Sequence, residues 1–421
     1  MREMKDSGIS WINEIPRNWN VEPIKYSYRL IAGATPESTN VDFWDGDIKW
    51  ITPADFKTKD VFVMGGSRNL TIEGYKSCST SILPIGSIVF SKRAPIGTVA
   101  ITADKLCTNQ GCLGLVEKSG RVLNKFYFYV ISIYGEVFNL YGSGTTFKEI
   151  SANIFANIKL PMPPIQEQKR IVGFLDAKCA EIDVLTTDIQ TQIDTLEQYK
   201  RSVITETVTK GLNPDAEMKD SGIQWIGNMP SHWEVIRGKY ILRYMQKLVR
   251  DDDGVITCFR DGEVTLRSNR REDGFTMSDK EIGYQGIDIG DLVVHGMDGF
   301  AGAIGISDSR GKASPVLNVL DTNQNKRYIM YYLRSMAYSD VFLALATGIR
   351  VRSCDLRWNK LADLSYPVPP LDEQKAIVEH VDAVLVKVDA VISDKKAQLA
   401  TLDEYKKSLI FEYVTGKKEV V

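Results

Sequence analysis

Hydrophobic residues recur at every seventh position through the middle of the chain, between two clear helix boundaries. A seven-residue repeat kept up over several turns predicts a long helix against a partner helix, because 3.5 residues per turn holds one apolar stripe against the same neighbour. Pro163 and Pro164 suit a helix start and Gly211 suits a helix end, so we predict a helix over residues 165–211, roughly 70 Å long. The predicted seam consists of Leu175, Ile182, Ile189, Leu196 and Val203, flanked by Cys179, Leu185, Ile193 and Tyr199.

The C-terminal stretch repeats this pattern, so the partner helix belongs to the same chain. The segment PVPPLDEQKAIV from Pro367 matches PMPPIQEQKRIV from Pro161 at an offset of 206 residues (367 − 161). The third seam position holds Lys395, which is either a charge that sets the register of the two helices or a surface lysine; we favour the surface lysine. The other seam positions are Val381, Val388, Leu402 and Leu409.

A second block is also duplicated: MKDSGISWINEIPRNW begins at Met4, and MKDSGIQWIGNMPSHW begins at Met218. The chain is therefore arranged as block, variable region and long helix, followed by the same three parts again. Residues 1–19 are predicted to form a short irregular arm whose hydrophobic side chains pack on a neighbouring element. Those side chains are Trp11, Ile15, Pro16 and Trp19.

The two variable regions show short strand patterns separated by glycine and proline turns, with one helix in each. We call these regions the first and second heads, because their sequences differ while their ingredients match. In the first head we predict strands at 47–51, 86–91 and 97–102 and a helix at 126–139. In the second head we predict strands at 255–259 and 291–295 and a helix at 327–337.

These parts predict an α+β fold with two globular heads, two long coiled-coil helices and an internal repeat. We expect the boundaries to follow the repeated blocks. The expected parts are an arm at 1–19, the first head at 20–160, a central region with the long helix and repeated arm at 161–233, the second head at 234–366 and a C-terminal long helix at 367–421.

Composition describes an ordinary globular chain and excludes several classes. The 421 residues are 43% hydrophobic and 25% charged, and the net charge of −2 argues against a simple polycationic nucleic-acid binder. No apolar stretch is long enough for a membrane span or a signal sequence, so we expect a cytoplasmic protein. Six cysteines without a CxxC pair favour buried reduced thiols over a zinc site.

Signals for catalysis are missing from the sequence. There is no GxxxxGK[ST] phosphate loop, no Asn/Asp-Pro-Pro-Tyr/Phe motif of amino-methyltransferases, and no GxGxxG motif after a strand. The three histidines, His232, His295 and His380, suggest neither a catalytic triad nor a metal cluster. We therefore predict no catalytic residue, no metal site and no cofactor in this chain.

Polar and basic residues on predicted loops are candidates for DNA contact. Arginine forks suit phosphates and guanine edges, and asparagine or glutamine suits adenine. The alternative is a solvated charged surface balanced by nearby acids such as Asp251–Asp253, Asp261, Glu272 and Asp273. The candidates in the first head are Thr35, Lys57, Lys92, Arg93, Thr108, Asn109, Gln110, Ser143 and Thr145. Those in the second head are Arg260, Arg267, Arg270, Arg271, His295, Arg350 and Arg352.

The duplicated layout resembles the specificity (S) subunit of type I restriction-modification systems. The motifs that carry the resemblance are MKDSGI-x-W at the start of each half and PxPPxxEQKxIV at the start of each long helix. GATP from Gly33 and KRAPIG from Lys92, leading to Asn109-Gln-Gly111, are similar to one type of target-recognition domain. The run FRDGEVTLRSNRR from Phe259 is similar to another type.

This resemblance implies a DNA-sequence-recognition subunit of a bacterial or archaeal type I restriction-modification complex, without catalysis of its own. Two target-recognition domains would each read one half of an asymmetric bipartite site in double-stranded DNA, with the two long helices paired antiparallel between them. Methyltransferase (M) subunits, expected to be two, would dock on the helices, and restriction (R) subunits would join them. S-adenosylmethionine, ATP and Mg would then be bound by those partner subunits, where adenine-N6 methylation and cleavage take place.

Two other classes of function are open at this point. One is a stand-alone DNA methyltransferase or nuclease with an unrecognised active site, against which the missing methyltransferase motif argues. The other is a purely structural coiled-coil connector, which would not explain two large and dissimilar heads.

Overall fold

A computed structural model describes residues 2–57, 59–93, 95–143, 148–270, 282–345 and 356–420. The chain forms two compact units: Met1–Asp188 with Ala397–Val421, and Ile189–Lys396. Each unit holds one arm, one head and a segment of each long helix. The repeat seen in the sequence is thus present as two separately built halves.

The first half of the chain contains twelve strands and six α-helices among the described residues. The strands are β1 (Met4–Asp6), β2 (Glu14–Pro16), β3 (Asn20–Pro23), β4 (Tyr28–Ala32), β5 (Trp44–Ile51), β6 (Phe62–Val63), β7 (Arg68–Leu70), β8 (Ile88–Ser91), β9 (Val99–Thr102), β10 (Cys107–Thr108), β11 (Cys112–Glu117) and β12 (Lys159–Met162). The helices are α1 (Ile24–Ser27), α2 (Ile72–Lys76), α3 (Asn124–Ser132), α4 (Gly135–Leu140), α5 (Ala152–Asn157) and α6 (Ile165–Lys210).

The second half follows a similar order. Its strands in the described residues are β13 (Met218–Asp220), β14 (Asn228–Pro230), β15 (Glu234–Arg237), β16 (Leu242–Met245), β17 (Ile256–Cys258), β18 (Val264–Leu266), β19 (Gln285–Ile287), β20 (Leu292–His295), β21 (Ile304–Ile306), β22 (Gly311–Ala313), β23 (Leu317–Thr322) and β24 (Ser365–Val368). Its helices are α7 (Gly238–Ile241), α8 (Lys326–Tyr338), α9 (Val341–Ala344), α10 (Trp358–Asp363) and α11 (Leu371–Val414).

Both long helices have nearly the predicted bounds, and both end in the same way. Gly211 and Gly416 follow α6 and α11 with φ of +74° and +71°, the left-handed conformation that glycine adopts without steric cost. A Cβ atom on Gly211 would lie 3.2 Å from the ring of Trp233, and one on Gly416 would lie 3.0 Å from the ring of Trp19. The arm tryptophan of each unit therefore packs against the helix end of that unit.

The two long helices run antiparallel within each unit. In the first unit Lys406 Nζ lies 2.6 Å from Asp183, and the rings of Phe174 and Tyr413 are 4.3 Å apart. In the second unit Lys200 Nζ lies 2.5 Å from Asp389 Oδ1. Lys395 donates a hydrogen bond to the exposed Gln192 of the opposite helix, which agrees with the favoured interpretation of Lys395 as a surface lysine.

The predicted seam is correct in part. Its buried members are Leu175, Ile182, Val381, Val388 and Leu409, and its half-buried members are Ile189, Leu196, Val203 and Leu402. The flanking residues Leu185 and Tyr199 were expected in the seam but are exposed. An α-helix of 3.6 residues per turn drifts about 20° per heptad, so the buried stripe moves from the seventh positions to Ile193, Ile204 and Val208.

The two heads are built on the same order of four strands. The first head has a five-stranded sheet in the order β4-β11-β8-β9-β6, and the second has a four-stranded sheet in the order β16-β23-β20-β21. In each case the strand before the head helix, β11 or β23, pairs antiparallel with the first strand of the sheet. The prediction of two related heads is thus confirmed at the level of sheet topology.

The first head differs from the second by an additional layer. Strands β10, β5 and β7 form a three-stranded sheet over a small core of Trp44, Trp50, Leu70 and Cys107. The second head carries two-stranded ribbons instead, β17 with β18 and β19 with β22. The predicted strands of both heads fall within or beside strands that the structure describes.

Two local predictions were wrong. The helix predicted at 126–139 divides into α3 and α4, because the backbone of Gly97 presses against Gly135 so closely that a Cβ on Gly97 would lie 2.5 Å from the Gly135 Cα. The arm is an antiparallel ribbon of β1 and β2 rather than irregular. A turn makes this ribbon possible, since Asn13 adopts a φ of 63°.

The expected burial holds for most of the arm and most of the described cysteines, while Trp11 and Cys78 are half-buried. Ile15 and Trp19 are fully buried in the core of the first unit. Of the described cysteines, Cys107, Cys112, Cys179 and Cys258 are buried, and each is a free thiol. Burial raises the pKa of the Cys107 thiol to about 11. Over the described part of the chain, no helix is long and apolar enough to cross a membrane.

Candidate nucleic-acid interface

Backbone hydrogen bonds bring three of the predicted loops of the first head together. The N–H of Ala34 donates to the carbonyl of Thr108 at 2.9 Å, and the N–H of Lys92 donates to the carbonyl of Gly111 at 2.9 Å. Gly33 allows this approach, because a Cβ at that position would lie 2.2 Å from the carbonyl oxygen of Asn109. The loops at 33–36, 92–93 and 108–111 therefore form one continuous surface, which we call the first-head surface.

The predicted side chains on the first-head surface differ in exposure: two are exposed, while Lys92 and Arg93 are half-buried. Thr35 and Gln110 are exposed and hydrogen-bonded to each other across two loops. Lys92 lies 2.6 Å from Glu149 Oε1, and Arg93 Nε lies 3.7 Å from Glu149 Oε2. A surface with amide, hydroxyl and basic groups in contact suits both base edges and phosphates.

Two predicted residues have structural roles instead. Thr108 is buried, so its side chain is not offered to a ligand, and its carbonyl also accepts from the Thr80 hydroxyl at 3.0 Å. Asn109 is half-buried, and its Oδ1 accepts from the N–H of Gly111 at 2.9 Å, which closes the turn. Polar groups of both residues form hydrogen bonds within the protein. The sequence alone did not distinguish this role from DNA binding.

Ser143 and Lys57 lie on the same head. Ser143 is exposed and pairs with Glu149 through two backbone hydrogen bonds of 3.0 Å. Lys57 is exposed, at the end of the turn that follows β5. Ser143 therefore belongs to the first-head surface through Glu149.

In the second head, two of the predicted arginines lie on the surface beside carboxylates. Arg260 is 2.8 Å from Asp298. Arg270 is 2.8 Å from Asp261 and 2.9 Å from Glu263. Its guanidinium also stacks 4.2 Å from the centre of the Phe259 ring, which holds its plane in place.

His295 and Arg267 are less available than predicted. His295 follows the buried part of β20, and its Nδ1 accepts from the N–H groups of Met297 and Asp298 at 3.2 and 3.0 Å. Burial lowers the pKa of His295 below its ordinary value, so the ring is a neutral cap of this turn at pH 7. Arg267 is half-buried and donates to the Thr257 hydroxyl at 3.3 Å. The remaining predicted residues, Thr145, Arg271, Arg350 and Arg352, lie outside the described residues.

Comparisons with known proteins agree with the duplicated fold. Residues 16–195 match the family model described as type I restriction modification DNA specificity domain. The type I restriction enzyme MjaIX specificity subunit of Methanocaldococcus jannaschii is 35% identical over 167 residues, which are 39% of this chain and 38% of that relative's length. The putative MjaX specificity subunit of the same organism is 23% identical over 97% of this chain and 96% of its own length.

The chain is similar over nearly its whole length to specificity subunits of type I restriction enzymes, and residues 16–195 match their DNA specificity domain.

A solved structure supports the fold of this chain. The structure concerns complex assembly and conformational transition of the type I R-M system. One of its chains aligns with this chain at a TM-score of 0.69 and 15% sequence identity. The alignment covers 96% of this chain and 99% of the solved chain. The predicted fold class is thereby confirmed. The matches to specificity subunits support the prediction of a DNA specificity subunit and do not support the alternative of a stand-alone enzyme. The individual DNA-contacting residues stay predictions.

Sequence reasoning missed the acids that lie beside the predicted cations of both heads. Glu149 and Asp298 each lie beside a predicted cation, yet no local motif marks either residue. It also missed Arg68, whose guanidinium lies 3.7 Å from the centre of the Trp44 ring in the additional layer of the first head. Trp44 and Trp50 were visible in the sequence. That Arg68 contacts Trp44 could not be predicted, because it depends on the pairing of β5 with β7.

A network of ion pairs holds the loop that precedes β17 in the second head. Arg310 binds Asp253 through two hydrogen bonds of 2.9 and 2.8 Å and also contacts Asp288 at 2.5 Å. Lys247 bridges Asp288 at 2.8 Å and Asp291 at 2.6 Å. These two cations hold the pKa of Asp288 at about 2, with the Lys247 hydrogen bond as the largest cause. The network fixes the loop from which the ribbon β17–β18 begins.

Proposed function

We propose that this chain reads an asymmetric, two-part sequence in double-stranded DNA, one part through each head. The observation that carries this proposal is the contrast between common topology and different surface chemistry. The two heads share the four-strand order, yet the first-head surface presents Thr35 and Gln110 beside Lys92, while the second presents Arg260 and Arg270. Heads of one fold that carry different side chains are suited to two different half-sites.

The partners we propose are methyltransferase subunits, in two copies, and restriction subunits. The internal repeat supports two copies, because each unit has its own arm packed on its own helix end. We also propose that S-adenosylmethionine, ATP and Mg are bound by those partners, since the sequence has neither a phosphate loop nor an amino-methyltransferase motif. The proposed location is the cytoplasm of a bacterium or archaeon.

The proposal is tested by methyl transfer with purified components. The chain alone, the M subunit alone and the two together are each incubated with genomic DNA and labelled S-adenosylmethionine. We expect label in DNA only from the two together, because the heads select the site and the partner performs the chemistry. Transfer by the chain alone would overturn the adaptor role, and equal transfer by the M subunit alone would show that the chain does not direct the reaction.

A further inference from the structure

Four of the predicted DNA-contacting cations lie beside carboxylates of their own head. Lys92 and Arg93 share Glu149, and Arg260 lies beside Asp298. Arg270 lies between Asp261 and Glu263. These acids explain in part how a chain with a net charge of −2 can present basic side chains to DNA.

Hydrogen bonds hold the backbone of Glu149 and Asp298 in place beside the cations. Glu149 faces Arg93 in an antiparallel bridge and is bound to Ser143 on its other side by two backbone hydrogen bonds. The N–H of Asp298 donates to His295 Nδ1 at 3.0 Å, and the carbonyl of Asp298 accepts from the N–H of Ala301 at 2.9 Å. An antiparallel bridge therefore places Glu149 next to Arg93, and a hydrogen-bonded turn places Asp298 near Arg260.

A carboxylate in this position competes with a DNA phosphate for the same cation. Non-cognate DNA offers chiefly its phosphates, so its binding must displace the carboxylate without compensation from base edges. Cognate DNA also offers neutral base edges, which the same cation can bind while its carboxylate stays in place, because a carboxylate repels a phosphate but not a neutral base edge. Each good base-edge pair discriminates by a factor of about 5 to 150. The carboxylates thus lower the affinity for non-cognate DNA more than they lower the affinity for cognate DNA.

We infer that Glu149 and Asp298 are specificity determinants of this protein, which occupy the phosphate-binding cations and thereby suppress binding to non-cognate DNA. This inference rests on the proposed function, since it assumes that the two heads contact DNA. It differs from a purely structural role for the two ion pairs. With a purely structural role, removing the carboxylate would change the stability of the head and leave its DNA affinity unaltered.

The test uses the complex of this chain with its M subunit and measures dissociation constants at several salt concentrations. The two probes are a duplex that carries the motif methylated in the host genome and a duplex with that motif scrambled. The variants are Glu149→Gln and Asp298→Asn, which keep side-chain volume. The matched controls are Glu73→Gln and Asp252→Asn, exposed acids of the same two heads that remove the same charge.

We expect each variant to bind the scrambled duplex about fivefold to tenfold more tightly, with a salt slope steeper by about 0.9 for each additional phosphate that the freed cation neutralises. Cognate affinity should change less than about threefold, and both controls should resemble the unmodified complex. If the complex discriminates between the two probes but the variants have the same dissociation constants as their controls, this inference alone is overturned. A complex that does not discriminate at all would overturn the proposed function and this inference with it.

Discussion

The backbone N–H of Leu123 donates a hydrogen bond of 2.7 Å to the side chain of Gln168. Gln168 is fully buried at the start of α6, and Leu123 immediately precedes the head helix α3. In the second unit, Gln374 accepts from the N–H of Asn325 at 2.9 Å, immediately before α8. The glutamine of the repeated EQK motif is therefore the residue that fastens each head to its long helix.

A second contact between a long helix and a head helix is found in both units. In the first unit Asp176 accepts from Lys125 at 2.7 Å and from the Tyr129 hydroxyl at 2.8 Å. In the second unit Asp382 accepts from Arg327 at 2.6 Å and also from the Tyr331 hydroxyl. Two polar anchors on one helix face thus orient each head, although the head sequences differ.

Replacing Gln168 by alanine should destabilise the first unit. Its Nε2 donates to the carbonyls of Arg121 and Pro163, both at 2.9 Å, so the change leaves one buried and two partly buried backbone groups without this partner. We expect a loss of roughly 2–4 kcal/mol. Thermal unfolding should show a midpoint lower by on the order of 5–10 °C. The control is Gln190→Ala on the exposed face of the same helix; equal midpoints for the two variants would contradict the anchoring role.

Replacing Arg310 by alanine should destabilise the second head strongly. The side chain of Asp253 is 2% exposed, and its carboxylate would lose both of its hydrogen bonds to Arg310. Breaking a buried pair from one side costs about 3–5 kcal/mol. Arg243 is the matched control, because it pairs with Asp321 while its own side chain is 72% exposed, and Arg243→Ala should cost less than about 1 kcal/mol. Urea unfolding of both variants measures the difference, and comparable costs would show that the network does not hold the loop.

Acid should remove the stabilisation that Asp288 provides. The pKa of Asp288 is about 2 in the folded chain against an ordinary value of 3.8, because Lys247 and Arg310 favour its charged form. The contribution is present above about pH 4 and is lost as the pH falls toward 2. We therefore expect the stability difference between the unmodified chain and Asp288→Asn to be constant above pH 4 and to close between pH 4 and 2. Urea unfolding across that range measures it, and a difference independent of pH would contradict the assignment.

Replacing Arg270 by alanine should weaken DNA binding by the assembled complex while the M subunit stays bound. The guanidinium is stacked on Phe259 and lies at the surface of the second head, where its loss removes about one phosphate or base contact. We expect cognate affinity to fall about tenfold. Footprinting on cognate DNA and gel filtration of the complex make the two measurements. Arg243→Ala in the same head is the control, and an unchanged footprint for Arg270→Ala would remove this residue from the predicted surface.

The sequence predicted the repeats, the long helices and the strand pattern of both heads because those features follow from local periodicity. It predicted the convergence of polar loops less well, since that depends on which strands pair. Thr108 was expected on a loop but ends strand β10, where it is buried. Asn109 does lie on the loop that passes Gly33, and its side chain is occupied by a hydrogen bond from the N–H of Gly111. Glu149 could not be found, because its role arises only when its backbone bridges Arg93.

The central claim is that this chain selects the DNA sequence that its complex methylates. Single-molecule methylome sequencing tests it in a host that carries the chain with its M subunit, compared with a deletion of this chain alone. We predict the loss of one asymmetric, gapped N6-methyladenine motif on deletion and its return when the chain is restored. A methylome that keeps such a motif after deletion would contradict the claim.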